Sequence, residues 1–170
     1  MPDEIKSIAI VNRTLPSNAD ANKLEGVLTG EGLGHQDSLT TQFVLRGLDE
    51  NLRGSALFRV VKTPELLEGS GIGTLLPEAL AWDSVEELCE KYNTEALIAL
   101  EAYDSDFIIT GASASDNLLN LEARGLVTVN CGFRMYHPAS RSILDEYMFR
   151  HQMHWGGGGL SVVAAADAII

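Results

Sequence analysis

The chain has 170 residues, 45% of them apolar and 21% charged, the balance of a globular protein rather than a disordered or fibrous one. That length fits one domain, which buries about 70% of the surface its unfolded chain exposes. Twelve Lys and Arg stand against 24 Asp and Glu, and the resulting charge of −12 works against nucleic acid and anionic lipid, which are bound through basic side chains.

Arg46, Arg53, Arg59 and Lys62 are interleaved with acids and form no basic block. Met1-Pro2-Asp3-Glu4 is not a signal peptide, and no apolar run reaches the ~18 residues of a membrane span. Ile5 to Val11, β-branched and apolar at nearly every position, reads as a strand buried on both faces. Residues 13–36 turn polar and glycine-rich and read as a long loop. Asp37 or Ser38 then caps a helix with Leu39, Phe43, Val44, Leu48 and Leu52 on one stripe, ended by Gly54. Leu57 to Val61 is the second strand.

Residues 63–81 hold two prolines and three glycines and read as a second long loop, with a brief helical hint at Glu65 to Glu68. Ser84-Val85-Glu86-Glu87 has the spacing of a capping box, so a helix is expected from Ser84 with Val85, Leu88, Cys89 and Tyr92 inward. Glu95 to Tyr103 is the third strand. Residues 107–124 are ambiguous, with a short helix expected at Asp116 to Ala123. Val127, Val129, Cys131, Phe133 and Met135 then alternate with polar neighbours, a period-two strand with one core face. Pro138-Ala139-Ser140 turns the chain into Ser142 to Gln152, the partner strand of a hairpin, in which Asp145 and Glu146 come opposite or diagonal to Arg134 and help set register.

This order predicts an α/β (α+β) domain: a two-layer sandwich with a mixed sheet of about five strands, two main helices and a closing antiparallel hairpin. The domain is expected over residues 1–155. Residues 156–170 are expected to be a glycine hinge and the first turns of a helix leading into a further, helical-repeat region. Both ends read as cut from a longer protein.

The chemistry-bearing residues converge on no known pattern. Gly69-Ser70-Gly71-Ile72-Gly73 lacks the ending of a phosphate loop, and Gly30, Gly32 and Gly34 are spaced too tightly for a dinucleotide fingerprint. Gly159-Leu160-Ser161 lacks the closing glycine of a nucleophile elbow, and Ser161 is read as a helix cap. His151 and His154 share a face only on a helix, whereas on a strand their rings point apart. Cys89 and Cys131 read as small buried hydrophobes, and Asp104, Asp106, Asp145 and Glu146 as solvated surface acids. No catalytic residue, cofactor or metal is therefore assigned. Trp82 and Trp155 adjoin element boundaries, where tryptophan seals a core edge or anchors an interface; with His151 and His154 they are the candidate interaction residues.

Three phrases carry a resemblance: Lys6-Ser7-Ile8-Ala9-Ile10-Val11-Asn12-Arg13, then Gly132-Phe133-Arg134-Met135-Tyr136-His137-Pro138 with Ile143-Leu144-Asp145-Glu146-Tyr147, then Trp155-Gly156-Gly157-Gly158. Together they resemble a family of uncharacterised cell-envelope lipoproteins of Gram-negative gut bacteria, whose members continue into tetratricopeptide-like helical repeats. The topology is similar, at the level of fold, to the amino-terminal domain of the Tol-system periplasmic protein, to the lipoprotein activators of penicillin-binding proteins and to the curli secretion channel lipoprotein. The resemblance implies an outer-membrane lipoprotein facing the periplasm, held by an amino-terminal lipid anchor, whose domain binds envelope proteins and does no chemistry. Two rivals are weighed beside it: a small-ligand binder or hydrolase built on loops 13–36 and 63–81, and a structural domain that packs on a carboxy-terminal half.

Overall fold

The computed structural model describes residues 5–16, 34–69, 76–114 and 121–157. Its elements run β1 (Ser7–Pro16), α1 (Gly34–Gly54), β2 (Arg59–Gly69), α2 (Trp82–Tyr92), β3 (Ala96–Ala114), β4 (Leu121–His137), a 3-10 turn at Pro138–Ser140 and β5 (Ser142–Gly157). The five strands form one mixed sheet in the order β2-β1-β3-β4-β5. β1 is parallel to both β2 and β3, while β3–β4 and β4–β5 are antiparallel. The expected α/β fold of five strands and two helices is the one observed.

The layering differs from the expected sandwich. Alternate residues of a strand point to opposite faces, and those of β1 divide accordingly. Ala9 and Val11 pack with Val85, Leu88 and Cys89 of α2, whereas Ile10 packs with Leu45 of α1. One helix thus covers each face, giving three layers around β1. The strand order explains this: β1 crosses over to β2 on one side and β2 crosses back past β1 to β3 on the other, and two right-handed crossovers in opposite directions place their helices on opposite faces. Ile8, Ala9, Ile10 and Val11 are consequently buried almost completely, as the unbroken apolar run of β1 predicts, and each such Ile contributes about 1.5–3 kcal/mol of transfer free energy.

Several boundaries move. Arg13 to Pro16 belong to β1 and Gly34 to Gln36 to α1, so the loop expected at 13–36 is shorter; its centre, 17–33, lies outside the described residues. β2 runs on to Gly69 where a loop with a helical hint was expected. Two residues separate Ile10 from Asn12 along β1, but four separate their partners Lys62 and Leu66 on β2. The excess is a bulge that contains Pro64, on an edge strand where a missing N–H is tolerated. Gly69 then pairs with Pro16, and a β-carbon there would overlap the Arg13 carbonyl oxygen, so the close approach of the two strands admits only glycine.

α2 begins at Trp82, its N-cap is Ala81, and no side chain caps it; the Ser84 capping box does not form because Ser84 already sits inside the helix. Residues 121–123, expected as helix, open β4. Gly156 and Gly157, expected as hinge, close β5 opposite Arg124 and Ala123. The helix expected from Leu160, with Ser161 as its cap, lies outside the described residues.

Candidate functional site

The interior holds a charge that sequence reasoning passed over. Glu101 follows the apolar run of β3 and is fully buried. It is the extra residue of a bulge, because Leu100 faces Phe133 and Ala102 faces Gly132 with Glu101 between them. Its Oε2 accepts from Arg13 Nη1 at 2.7 Å, its Oε1 accepts from the Tyr136 hydroxyl, and Arg134 Nη1 lies 4.0 Å away. The same guanidinium groups bind the end of β2 and the segment that leads into α2. Arg13 donates to the carbonyls of Glu68 and Glu78 at 3.0 and 2.7 Å, Arg134 donates to that of Pro77 at 2.5 Å, and the Leu80 amide donates to the Tyr136 oxygen at 3.1 Å. Burial, then the bond to Glu101, pushes the Tyr136 phenol up to about 12.

In open α/β sheets ligands settle beyond the carboxyl ends of parallel strands where the strand order reverses. Here the residues at that place, Arg13 of β1 and Glu101 of β3, hold each other and the strap of Pro77 to Leu80. Both carboxylate oxygens are committed to donors, so the cluster is a clasp that fixes the strap on the sheet.

A cleft of about 680 Å³ opens at the opposite end, lined among others by Ser7, Arg59, Glu86, Glu95 and Arg141. Four of its charged groups serve the backbone or each other. Glu95 accepts from the amides of Lys6 and Ser7 at 2.6 and 3.0 Å, and the Lys6 amide first of all holds its carboxyl below the ordinary range. Arg141 forks onto Glu86 at 2.8 and 3.1 Å, and Arg59 donates to the Asn93 carbonyl. None of these residues comes from 13–36 or 63–81, the loops on which a ligand-binding alternative would rest.

The residues singled out from sequence are dispersed. Trp82 is half-buried with its ring edge-on to Tyr136 at 5.9 Å and 78°, sealing the α2 side of the core. Trp155 stands opposite Gly125 in β5; its side chain is outside the described residues. His151 and His154 are exposed and, on a strand, face opposite ways; His151 stacks on Phe149 at 5.9 Å and 10°. Glu146 is the register partner of Arg134, with 2.6 Å between them. Asp145 instead stands opposite Met135 and makes no ion pair with another described residue. Asp104, expected at the solvated surface, is part-buried with its carboxyl pushed up by burial and then by Asp106, while Asn130 donates to it at 3.2 Å. Both cysteines are buried as expected. Among the described residues, no group of three or more His, Cys, Asp or Glu is placed to hold a metal, and no helix is long and apolar enough to cross a membrane.

The sheet is open, and its two edges differ. β2 carries Pro64 with Lys62, Glu65 and Glu68, the features by which natural edges are blunted. β5 contains no proline from Ser142 to Gly157 and leaves Tyr147 59% exposed in mid-strand. This edge, whose outer backbone donors and acceptors pair with no other described strand, is the candidate site.

The profile of one family, described as Domain of unknown function (DUF8603), matches residues 5–170. No curated protein sequence matches. Among solved structures, a neuraminyllactose-binding hemagglutinin homolog from Helicobacter pylori is similar at 10% identity and a TM-score of 0.42, over 92% of this chain and 68% of that one. A lipoprotein from Neisseria meningitidis is similar at 12% identity and 0.34, over 96% and 92%. A hypothetical protein from Chlamydia trachomatis is similar at 11% and 0.34, over 87% and 72%.

Proposed function

The chain belongs to the DUF8603 family, and from its open sheet we propose that it is a protein-interaction domain that docks other polypeptides on the β5 edge. The observation that carries this reading is the contrast between the edges: both carry charges, but β2 is interrupted by Pro64, whereas β5 is longer, proline-free and bears an exposed tyrosine. An unpaired strand offers a ladder of main-chain hydrogen bonds for affinity, while side chains on both faces supply specificity.

The setting we propose is the periplasmic side of the cell envelope, with the domain tethered by an amino-terminal lipid anchor and acting as an adaptor without turnover. That part rests on the three sequence phrases and on the resemblance, read from the order of elements in the sequence, to Tol-system and penicillin-binding-protein activator domains.

The test is a crosslinked pull-down from native envelopes with the full-length protein, run beside a Tyr147→Lys, Arg150→Glu variant whose altered side chains are both exposed. Retrieval of a polypeptide by the wild type and its loss in the variant is expected. Equal retrieval by both, or turnover in a hydrolase screen that vanishes when one polar cleft residue is changed, overturns the proposal.

A further inference from the structure

We propose that the polypeptide docked on β5 is a second copy of this chain, paired antiparallel to the same edge about a two-fold axis through Met148; this rests on the edge-docking reading above.

Residues opposed in an antiparallel pair direct their backbone groups the same way, either both toward the partner or both away, and that direction alternates along a strand. When a strand pairs with its own copy, the axis must therefore pass through a residue and not between two. From Asp145 onward the pairing of β5 with β4 is free of register shifts, so the alternation holds there.

Only a few axis positions bring the charged residues into contact, and they are not equivalent. An axis on Glu146 or Arg150 sets that charge against its own copy. An axis on Tyr147 sets Glu146 against Met148 and Asp145 against Phe149. An axis on Phe149 sets Glu146 against Gln152 and Asp145 against Met153. With the axis on Met148, Glu146 faces Arg150, Asp145 faces His151 and Tyr147 faces Phe149. Both acids then meet a donor, the exposed tyrosine meets an aromatic ring, and symmetry makes every contact twice. In-register parallel pairing would instead set every charge beside its own copy.

The side chains are available for this. Arg150 and Asp145 make no ion pair with another described residue, and Arg150, Asp145, Glu146 and His151 are exposed. Glu146 binds Arg134 through Oε2, but a carboxylate has capacity for a second guanidinium. Met148 lies against β4, where a β-carbon on Gly132 would come within 2.5 Å of its sulfur, so the residue on the axis is held in place by its own chain. The continuous ladder from Asp145 to His151 is as long as a typical strand pairing. The isologous contact closes on itself, giving a dimer with one sheet running through both copies and no open-ended filament.

Analytical ultracentrifugation of the full chain from about 10 to 300 µM is expected to show a concentration-dependent dimer. Arg150→Glu places a second carboxylate opposite Glu146 at both symmetry-related contacts and is expected to weaken the dimer by about tenfold or more. Glu146→Arg does the same with the opposite sign, and an equimolar mixture of the two variants is expected to restore a heterodimer, which unfolded protein would not do. Under mild oxidation Met148→Cys is expected to crosslink chain to chain and Asp145→Cys is not, with Cys89 and Cys131 buried in the background. A chain that sediments as a monomer at about 300 µM, a dimer indifferent to Arg150→Glu, or a mixture that stays monomeric overturns the self-pairing. If the edge nonetheless retrieves a different envelope protein that Tyr147→Lys, Arg150→Glu abolishes, the docking reading stands and self-pairing alone fails; if edge substitutions alter neither, both fail.

Discussion

Glu101 carries a charge into the middle of the sheet, and two guanidinium groups and a phenol keep it there. Removing one partner from such a set leaves the others buried without compensation, a loss of about 3–5 kcal/mol, even where an apolar replacement of the whole set would be neutral. Glu101→Gln is expected to lower the unfolding free energy read from urea denaturation by an amount in that range, whereas Glu68→Gln, with its side chain exposed and its carbonyl bound by Arg13, is expected to leave it unchanged. Glu65 gives the fold an acid-sensitive joint. Burial pushes its carboxyl up, but hydrogen bonds from Lys91 and Tyr92 outweigh that and hold it at about 2 against an ordinary 4.5. A depressed value means that the unfolded chain binds the proton first, so this contribution is complete above pH 4.5 and is lost as pH falls toward 2. Chemical denaturation across that window is expected to show a shallower acid limb for Glu65→Gln than for wild type. For Tyr136 the sign reverses. With the phenol raised from 10 to about 12, its contribution is intact below pH 10 and is lost on the way to 12, and Tyr136→Phe is expected to remove that alkaline dependence.

At the level of elements, legibility followed burial. β1, the inner half of β3 and the alternating run of β4 were plain because apolar patterning is imposed by a core on one face or both. The segment Thr63-Pro64-Glu65-Leu66-Leu67-Glu68 was opaque, since its letters suit a turn or a short helix and only the neighbouring β1 makes a strand of it. Glu101 was legible in principle: a lone carboxylate ending the run Ala96 to Leu100 is the signal of a buried, paired charge. The clasp as a whole was not, because Arg13, Glu101, Arg134 and Tyr136 converge only through sheet order. The edge residues Asp145, Glu146 and Tyr147 were visible as a strand, but that the strand ends the sheet is a fact of topology. Ser84 shows the opposite error, a motif with the right spacing in the wrong frame. Its hydroxyl is expected to be dispensable, with Ser84→Ala within about 0.5 kcal/mol of wild type. Ala81→Asp supplies the missing cap and is expected to raise stability by about 0.5–1 kcal/mol, read from thermal unfolding.

For the molecule as a whole, the sheet is the wall that two cores share. The cluster under α2 contains Cys89, and the cluster on the α1 face contains Cys131. Both thiols are buried, and burial pushes Cys131 up to about 12 and raises Cys89 against the opposing hydrogen bond of Thr94. Neither reacts while its layer is closed, because the thiolate is the nucleophile and burial disfavours it. Each thiol therefore reports the opening of one face. If β1, fully buried between the helices, makes the two faces a single cooperative unit, neither helix can lift without exposing a strand on which the other depends. Mass-resolved alkylation in sub-denaturing urea is then expected to label Cys89 and Cys131 at rates within about twofold of each other and with the same urea dependence. Labelling of either thiol about tenfold ahead of the other would show that its helix layer opens alone, and that the fold is two stacked units rather than one.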